Sequence, residues 1–583
     1  MSALINALDI HTSKQIGENG HAEYGYSNSI RERILQFSFQ LTRTDEMGLH
    51  RLEVVLCDIL NRLTAQYKSG SELVTVTEYL ILLYKMIGQT RDIVDGKGEC
   101  SLTYMMIFTW YNFYPELAFH AIKCLVNFGD DGKTHQYGSW KDIKYFCDFC
   151  HKNRCPLDHP LIQYAINVVN TQLNMDYANL ISNSDEISLA GKWVPREKSG
   201  RFGWMYEALA CNYFPRYIET APEKSKKSAI LKCKTEYRKV LSDLNRKIDT
   251  LQIKQCGKVW ANIDFNKVTS VSLSKQRKAF LNVTKKGDTR FPDNEDRVEC
   301  AKHFNEHIQK ALKGEVEIKG KRVGLENFTK QAIELIPNKG LSSFIAESQL
   351  LNSQWCDNSS QTGALENMIA MVDVSGSMNG DPLNAAIALG IRVAEKSKLG
   401  KRVMTFSSSP KWVNLEDQHD FVSMVQTLRC AEWGMNTNFD AALNMILDAI
   451  IQAKMEPEDV EGLTLAIFSD MQMDCADSSN RDTNVLFDRI RAKYADAGLR
   501  VKGKPYKPPH ILFWNLRSTS GFPSLSSQQN ASMMSGFSPA MLNLFCEQGI
   551  DSLQACSPWS LFLKSLENER YLIMENKARE FFV

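Results

Sequence analysis

At 583 residues the chain is too long for one hydrophobic core, and its length implies two to four domains. With 43% hydrophobic residues, 10% aromatic and a formal net charge of +1, it has an ordinary soluble globular composition. Fifteen cysteines, an odd number scattered through apolar stretches (Cys57, Cys124, Cys211, Cys546), exclude a disulfide framework and point to reduced thiols in a cytosol-like compartment. No apolar run approaches ~18 residues, so no membrane span is expected, and the N-terminus lacks the basic and apolar regions of a secretory signal.

Residues 1–27, polar with Gly and Asn, read as a loose arm. Helical periodicity starts at Ser29, with Ile30, Ile34, Phe37 and Leu41 on one face. Leu52, Val55, Leu56, Ile59 and Leu63 share the next face, and further helices are predicted at 79–87, 102–111 and 115–128. Helix after helix with no strand signal predicts an α-solenoid or irregular, HEAT-like array over 28–360, without a clean repeat. Within it, 223–290 is conspicuously basic: Lys226, Lys227, Lys232, Lys234, Arg238, Lys239, Arg246 and Lys247 are its densest part. Such a stripe could track a phosphate backbone; its bland reading is a solvated helical face.

From about residue 361 strands alternate with helices, the rhythm of a doubly wound α/β domain running to 583. Strands are expected at 367–372, 402–406, 463–469 and 510–516. Helices are expected at 382–398, 420–429, 439–453 and 483–495, with two more near 538–548 and 557–568. Residues 518–537 read as a loop.

The apolar run Met368 to Val372 leads into Asp373-Val374-Ser375-Gly376-Ser377, followed by Gly380, Asp381 and Pro382 at a helix start. One carboxylate and two hydroxyls at a strand's carboxyl end lie where open α/β folds put ligand sites, and three hard oxygen donors suit Mg²⁺ or a similar cation. Thr437, on a loop before a helix, and Asp470, after a second buried strand, follow in sequence. This set resembles the von Willebrand factor A family and its metal-ion-dependent adhesion site. The resemblance implies that Asp373, Ser375, Ser377, Thr437 and Asp470 hold one divalent cation, Mg²⁺ or else Ca²⁺ or Mn²⁺.

Other patterns carry less. His303 and His307 in His-Phe-Asn-Glu-His match an inverted zinc-protease motif, but on a lysine-rich helix that reads as exposed. Cys147, Cys150, Cys155 and His159 have donor types and spacing compatible with zinc; a helical setting makes core thiols the alternative. Gly96-Lys97-Gly98 lacks the features of a phosphate loop.

A helical array followed by an A domain resembles the TROVE architecture of the Ro ribonucleoprotein family. The chain is more closely similar to an uncharacterised family of the DUF2828 type, found in plants, fungi and large DNA viruses. The stretches that carry this include Arg91-Asp92, Gly96 to Glu99, Tyr137 to Asp142, Lys192 to Glu197, Phe468 to Met471, Phe513 to Arg517 and Ser535 to Ser538. The resemblance implies a non-enzymatic binding or scaffold protein of the cytoplasm, with nucleus or virion as other settings. Its A domain would take a protein ligand's Asp or Glu carboxylate through the cation, and its helices would engage RNA or protein. The alternatives are a metal-dependent hydrolase, with Asp474 or Asp381 as the nearby acid, and a structural or virion-associated protein.

Overall fold

The computed structural model describes residues 14–18, 20–127, 135–338, 340, 343–407, 409–430, 438–472, 486–546 and 555–583. Up to residue 359 the described fold is helical apart from one antiparallel hairpin, β1 (Lys14–Ile16) with β2 (Ala22–Tyr24). Local chemistry sets helix ends: Asp45 accepts a hydrogen bond from Gly48 N, and Gly70 at φ +71° ends Glu46–Ser69. Between them Leu52, Leu56, Ile59 and Leu63 form a fully buried stripe, as the 3.6-residue period requires.

The neighbouring helices Leu73–Arg91 and Pro115–Cys124 meet through Tyr84, whose hydroxyl donates to Leu117 O at 2.8 Å and lies 2.8 Å from His120 Nδ1. Burial, and next the charges of Lys577 and Lys123, push the His120 imidazole from 6.5 down to about 4. Between those values the unfolded chain binds the extra proton, so stability falls as pH drops through that window and is fully present above 6.5. Between pH 7 and pH 5 the native urea midpoint should therefore fall relative to that of His120→Gln, which lacks this titration. Equal slopes for both proteins would place the titration elsewhere.

The α/β part is a six-stranded sheet: β3 (Met368–Asp373), β4 (Arg402–Phe406), β5 (Lys411–Asn414), β6 (Thr464–Ser469), β7 (His510–Asn515) and β8 (Ala531–Ser535). Its order is β5-β4-β3-β6-β7-β8, parallel except for β5. The inner strands are apolar without alternation because both faces are covered. Ala370, Val372, Ala466, Phe468, Leu512 and Trp514 face the helices Leu325–Leu335 and Asp381–Lys396. Met371, Leu465, Ile467, Ile511 and Phe513 belong to one core with residues of the N-terminal helices. On the first face a Cβ at Gly390 would lie 2.5 Å from Val372 Cγ2. Gly390→Ala should cost about 1–3 kcal/mol by overpacking, read as a lower denaturation midpoint; an unchanged midpoint would show that strand and helix part freely.

Three expectations are corrected. The stretch 518–537, read as a loop, contains β8; β5 and the final helix Leu572–Phe582 were not anticipated. The described part of the supposedly loose arm is a hairpin with buried His21, Glu23 and Tyr24. Early and late segments of the described chain are also locked together. Tyr24 and Phe522 exchange backbone hydrogen bonds at 3.0 and 2.9 Å. Asn515 Nδ2 donates to Phe39 O at 3.0 Å. Arg570 grips Asp92 through Nε and an Nη, at 2.7 and 2.6 Å, and Lys85 pairs with Glu575. The Lys97 ammonium, wholly buried, donates to Ser38 O, Leu41 O and Ser535 Oγ at 2.9, 3.0 and 2.6 Å. Several stretches that carried the family resemblance are therefore parts of this lock.

Candidate cation site at the sheet rim

Chain order reverses between β3 and β6: β3 leads outward to β4, whereas β6 returns on its other side. The crevice at the carboxyl ends of two such strands is where open α/β sheets bind ligands. Asp373 ends β3, and Ser469 ends β6 with Asp470 next; all three side chains are buried. Asp373 Oδ1 accepts from Ser375 N at 2.9 Å, and Oδ2 accepts from Ser469 Oγ at 2.6 Å. The Ser375 and Ser377 hydroxyls lie 3.1 Å apart, and Ser377 hydrogen-bonds the Asp470 carboxylate. Beyond Ser377 the chain turns through Gly380 at φ +97°, which caps the next helix, and Asp381 is that helix's first residue.

Four of the five residues named from sequence thus share one place. Thr437 lies outside the described residues. Its neighbour Asn438 is tied to the same rim: Asn438 N donates to Ser407 O, just past β4, at 2.8 Å, and its side chain caps the helix Phe439–Ala453.

Burial, then the Asp470 charge, pushes the Asp373 carboxyl from 3.8 up to about 7. Asp470 is also raised, first by burial; the Arg517 charge opposes this. Two buried carboxylates side by side repel, and a cation or a proton relieves them. Two carboxylates and two hydroxyls, all hard oxygens, fit a Mg²⁺-like ion. No cluster of three or more His, Cys, Asp or Glu residues with metal-binding geometry occurs among the described residues; this set has two carboxylates.

Three neighbours escaped sequence reasoning. Arg517, two residues past β7, donates Nε to Asp470 Oδ2 at 2.9 Å and an Nη to Glu18 Oε2 at 2.7 Å. Gln472 bridges to the N-terminal hairpin: it accepts from Glu18 N at 2.8 Å and donates to Glu23 Oε2 at 3.2 Å. Ser469 orients Asp373 and also accepts from Met471 N at 3.0 Å, where Met471 has φ +63°. Charged or hydrogen-bonding residues at or just past the ends of buried strands were the available signal for all three, whereas Glu18, which bonds Arg517 and Gln472, is brought in only by the fold.

Asp381 is engaged by Lys330 and, at 3.6 Å, by Arg43; Asp474 lies outside the described residues. His307 is buried beside Phe265, whereas His303 bonds Glu299 at 3.1 Å and Ala261 O at 3.1 Å. Cys147 and Cys150 point into the core, Cys150 and Cys155 hydrogen-bond each other, and His159 caps the helix Pro160–Ile181. The fourteen described cysteines are free, and no helix among the described residues is long and apolar enough to cross a membrane.

The helix Lys226–Ile248 buries Ala229, Cys233, Tyr237, Val240 and Leu244 and turns its cations outward. Six of the eight basic residues named there have acidic neighbours. Lys226 pairs with Glu223, Lys234 with Glu197 and Glu207, Arg238 with Glu197, Lys239 with Glu236, Arg246 with Asp243 and Lys247 with Asp185. Lys232 lies over the Tyr217 ring at 4.1 Å, and Lys227 is exposed.

Two domain models match the chain, and neither describes a function. Residues 367–577, which include this rim, match a domain of unknown function, DUF7788, and residues 163–356 of the helical part match another, DUF2828. The chain is also 28% identical over 567 residues to the uncharacterized protein L728 of Acanthamoeba polyphaga mimivirus, covering 94% of this chain and 86% of that protein. The chain carries both domains and is a distant homologue of the viral protein.

Proposed function

We propose that this is a non-enzymatic binding protein whose α/β domain takes up one divalent cation at the rim of β3 and β6. Asp373, Ser375, Ser377 and Asp470, with Thr437, would hold it, and Mg²⁺, Ca²⁺ and Mn²⁺ are the candidate ions. The cation would supply an open coordination position for an Asp or Glu carboxylate of a protein partner. The observation that carries this reading is the pair of buried, mutually repelling carboxylates of Asp373 and Asp470 beside two hydroxyls. Binding is favoured over metal-assisted hydrolysis because Asp381, a candidate general base, is already held by Lys330 and Arg43. Free thiols suit the cytoplasm as the setting.

Thermal unfolding with and without Mg²⁺, Ca²⁺ or Mn²⁺ tests the site. The native protein should be stabilised by about 2.7 kcal/mol at a hundred times the dissociation constant, and Asp373→Ala should not respond. The same response in both proteins would refute the assignment.

A further inference from the structure

A second surface, on the helical part, has the chemistry of a different ligand. Its centre is Lys144, on the helix Trp140–Lys152. The Lys144 ammonium lies 5.5, 5.3 and 5.1 Å from the ring centres of Tyr145, Trp193 and Phe202. Lys141 stands 4.9 Å from the Tyr145 ring, and the Arg201 guanidinium 5.2 and 4.9 Å from Tyr145 and Phe202. Lys192 lies 5.8 Å from the Trp193 ring. Past Trp193 the surface continues through Val194 and Pro195 into a cleft of about 820 Å³, whose walls include Lys192, Arg196 and Lys198.

Charge balance sets this band apart from the helix Lys226–Ile248. Lys141, Lys144, Lys192, Arg196 and Lys198 have no acidic partner among the described residues, while Arg201 is paired with Asp148. The acid in the cleft wall, Glu197, is occupied by Arg238 and Lys234. Burial, and then the charges of Lys141 and Arg201, push the Lys144 ammonium down. Cations crowded together without acids have an unmet demand for anions. The rings add what an acidic peptide would not need: Tyr145, Trp193 and Phe202 are each partly exposed, and π faces among cations suit unpaired bases along a phosphate backbone. A duplex hides its base faces and could use only the charges.

We propose that this band binds single-stranded nucleic acid, with phosphates on the five cations that lack acids and bases against Tyr145, Trp193 and Phe202. It is a second activity, separate from the cation site at the sheet rim.

The test is fluorescence anisotropy of the full chain with a labelled 20-nucleotide oligouridylate. With five phosphate contacts, affinity should fall about a hundredfold between 50 and 200 mM salt. The double variant Arg196→Ala, Lys198→Ala, both exposed and therefore safe for folding, should reduce the logarithmic salt slope by about 1.4. Trp193→Ala, checked for an unchanged melting temperature, should weaken binding about tenfold at an unchanged slope. A triple variant Lys226→Ala, Lys239→Ala, Arg246→Ala should stay within about twofold of the native protein. Oligothymidylate binding also supports the proposal, and its ratio to oligouridylate reports whether the 2′-hydroxyl is read. No binding at 50 mM salt, an unchanged slope in Arg196→Ala, Lys198→Ala, or loss confined to the triple variant would overturn it. Duplex RNA or polyglutamate binding as tightly as oligouridylate would overturn it as well.

Discussion

Asp142→Ala is expected to cost about 3–5 kcal/mol, because it strands a buried guanidinium. Asp142 takes both Arg91 Nε and an Arg91 Nη, at 2.7 and 2.8 Å, and the Tyr104 hydroxyl at 2.7 Å. It also accepts from Ser139 N at 2.8 Å, closing the capping box of its own helix. Burial alone would raise its carboxyl; the Arg91 charge and these hydrogen bonds outweigh burial and hold it below the usual carboxylate range. Without it, Arg91 would be a buried charge with no counter-ion, and its Nη1 already lacks a partner. The neighbouring Tyr137 hydroxyl donates to Arg570 O at 2.7 Å, so the loss reaches the contact between early and late segments of the chain. Urea denaturation of Asp142→Ala measures the cost, and a loss under about 1 kcal/mol would show that solvent reaches Arg91. The double variant Arg91→Met, Asp142→Leu should recover the part of that loss due to the stranded charge, while the Tyr104 hydroxyl and Ser139 N–H stay without their acceptor.

The second large effect has opposite signs in two conditions. At pH 8 without divalent cations, Asp373→Asn should be more stable than the native protein by about 1 kcal/mol or more, since it removes one of two buried like charges. The asparagine oxygen can still accept from Ser375 N, and Ser469 remains beside it. In excess Mg²⁺ the order should reverse: the native protein gains about 2.7 kcal/mol at a hundred times its dissociation constant, and the variant gains none. Arg517, on Asp470 Oδ2, limits the cation-free penalty but stands on one carboxylate only. Native protein and variant moving together in both conditions would show that the two carboxylates do not share a cation.

How well each element could be read follows from how local its cause is. β3, β6 and β7 are uninterrupted apolar runs bounded by polar turns, and their positions followed from that pattern. β8, Ala-Ser-Met-Met-Ser, has no such run; it is a strand because β7 offers it an edge and helices cover it. The basic residues from Lys226 to Lys247 were legible as a charged stripe, but their acidic neighbours include Asp185, Glu197 and Glu207, which arrive from other segments. The cluster around Lys144 was legible only in part. The stretch Lys192 to Glu197 carries two cations beside a tryptophan in the sequence itself, whereas the juxtaposition of Trp193 with Lys144 comes from helix packing.

By itself the sequence determined the strands of the inner sheet, the helical character of the described residues from 28 to 359 and the oxygen donors at two strand ends, because apolar runs, turn residues and caps act over a few positions. Only the tertiary structure decided that Asp373 and Asp470 are neighbours and that Ser469 and Arg517 flank them. It alone brought Glu18 to Arg517 across 499 positions of chain and set Phe39 against Asn515 at the end of β7. Strand order and such distant meetings depend on which surfaces bury each other best, a property of the whole chain that no local pattern contains.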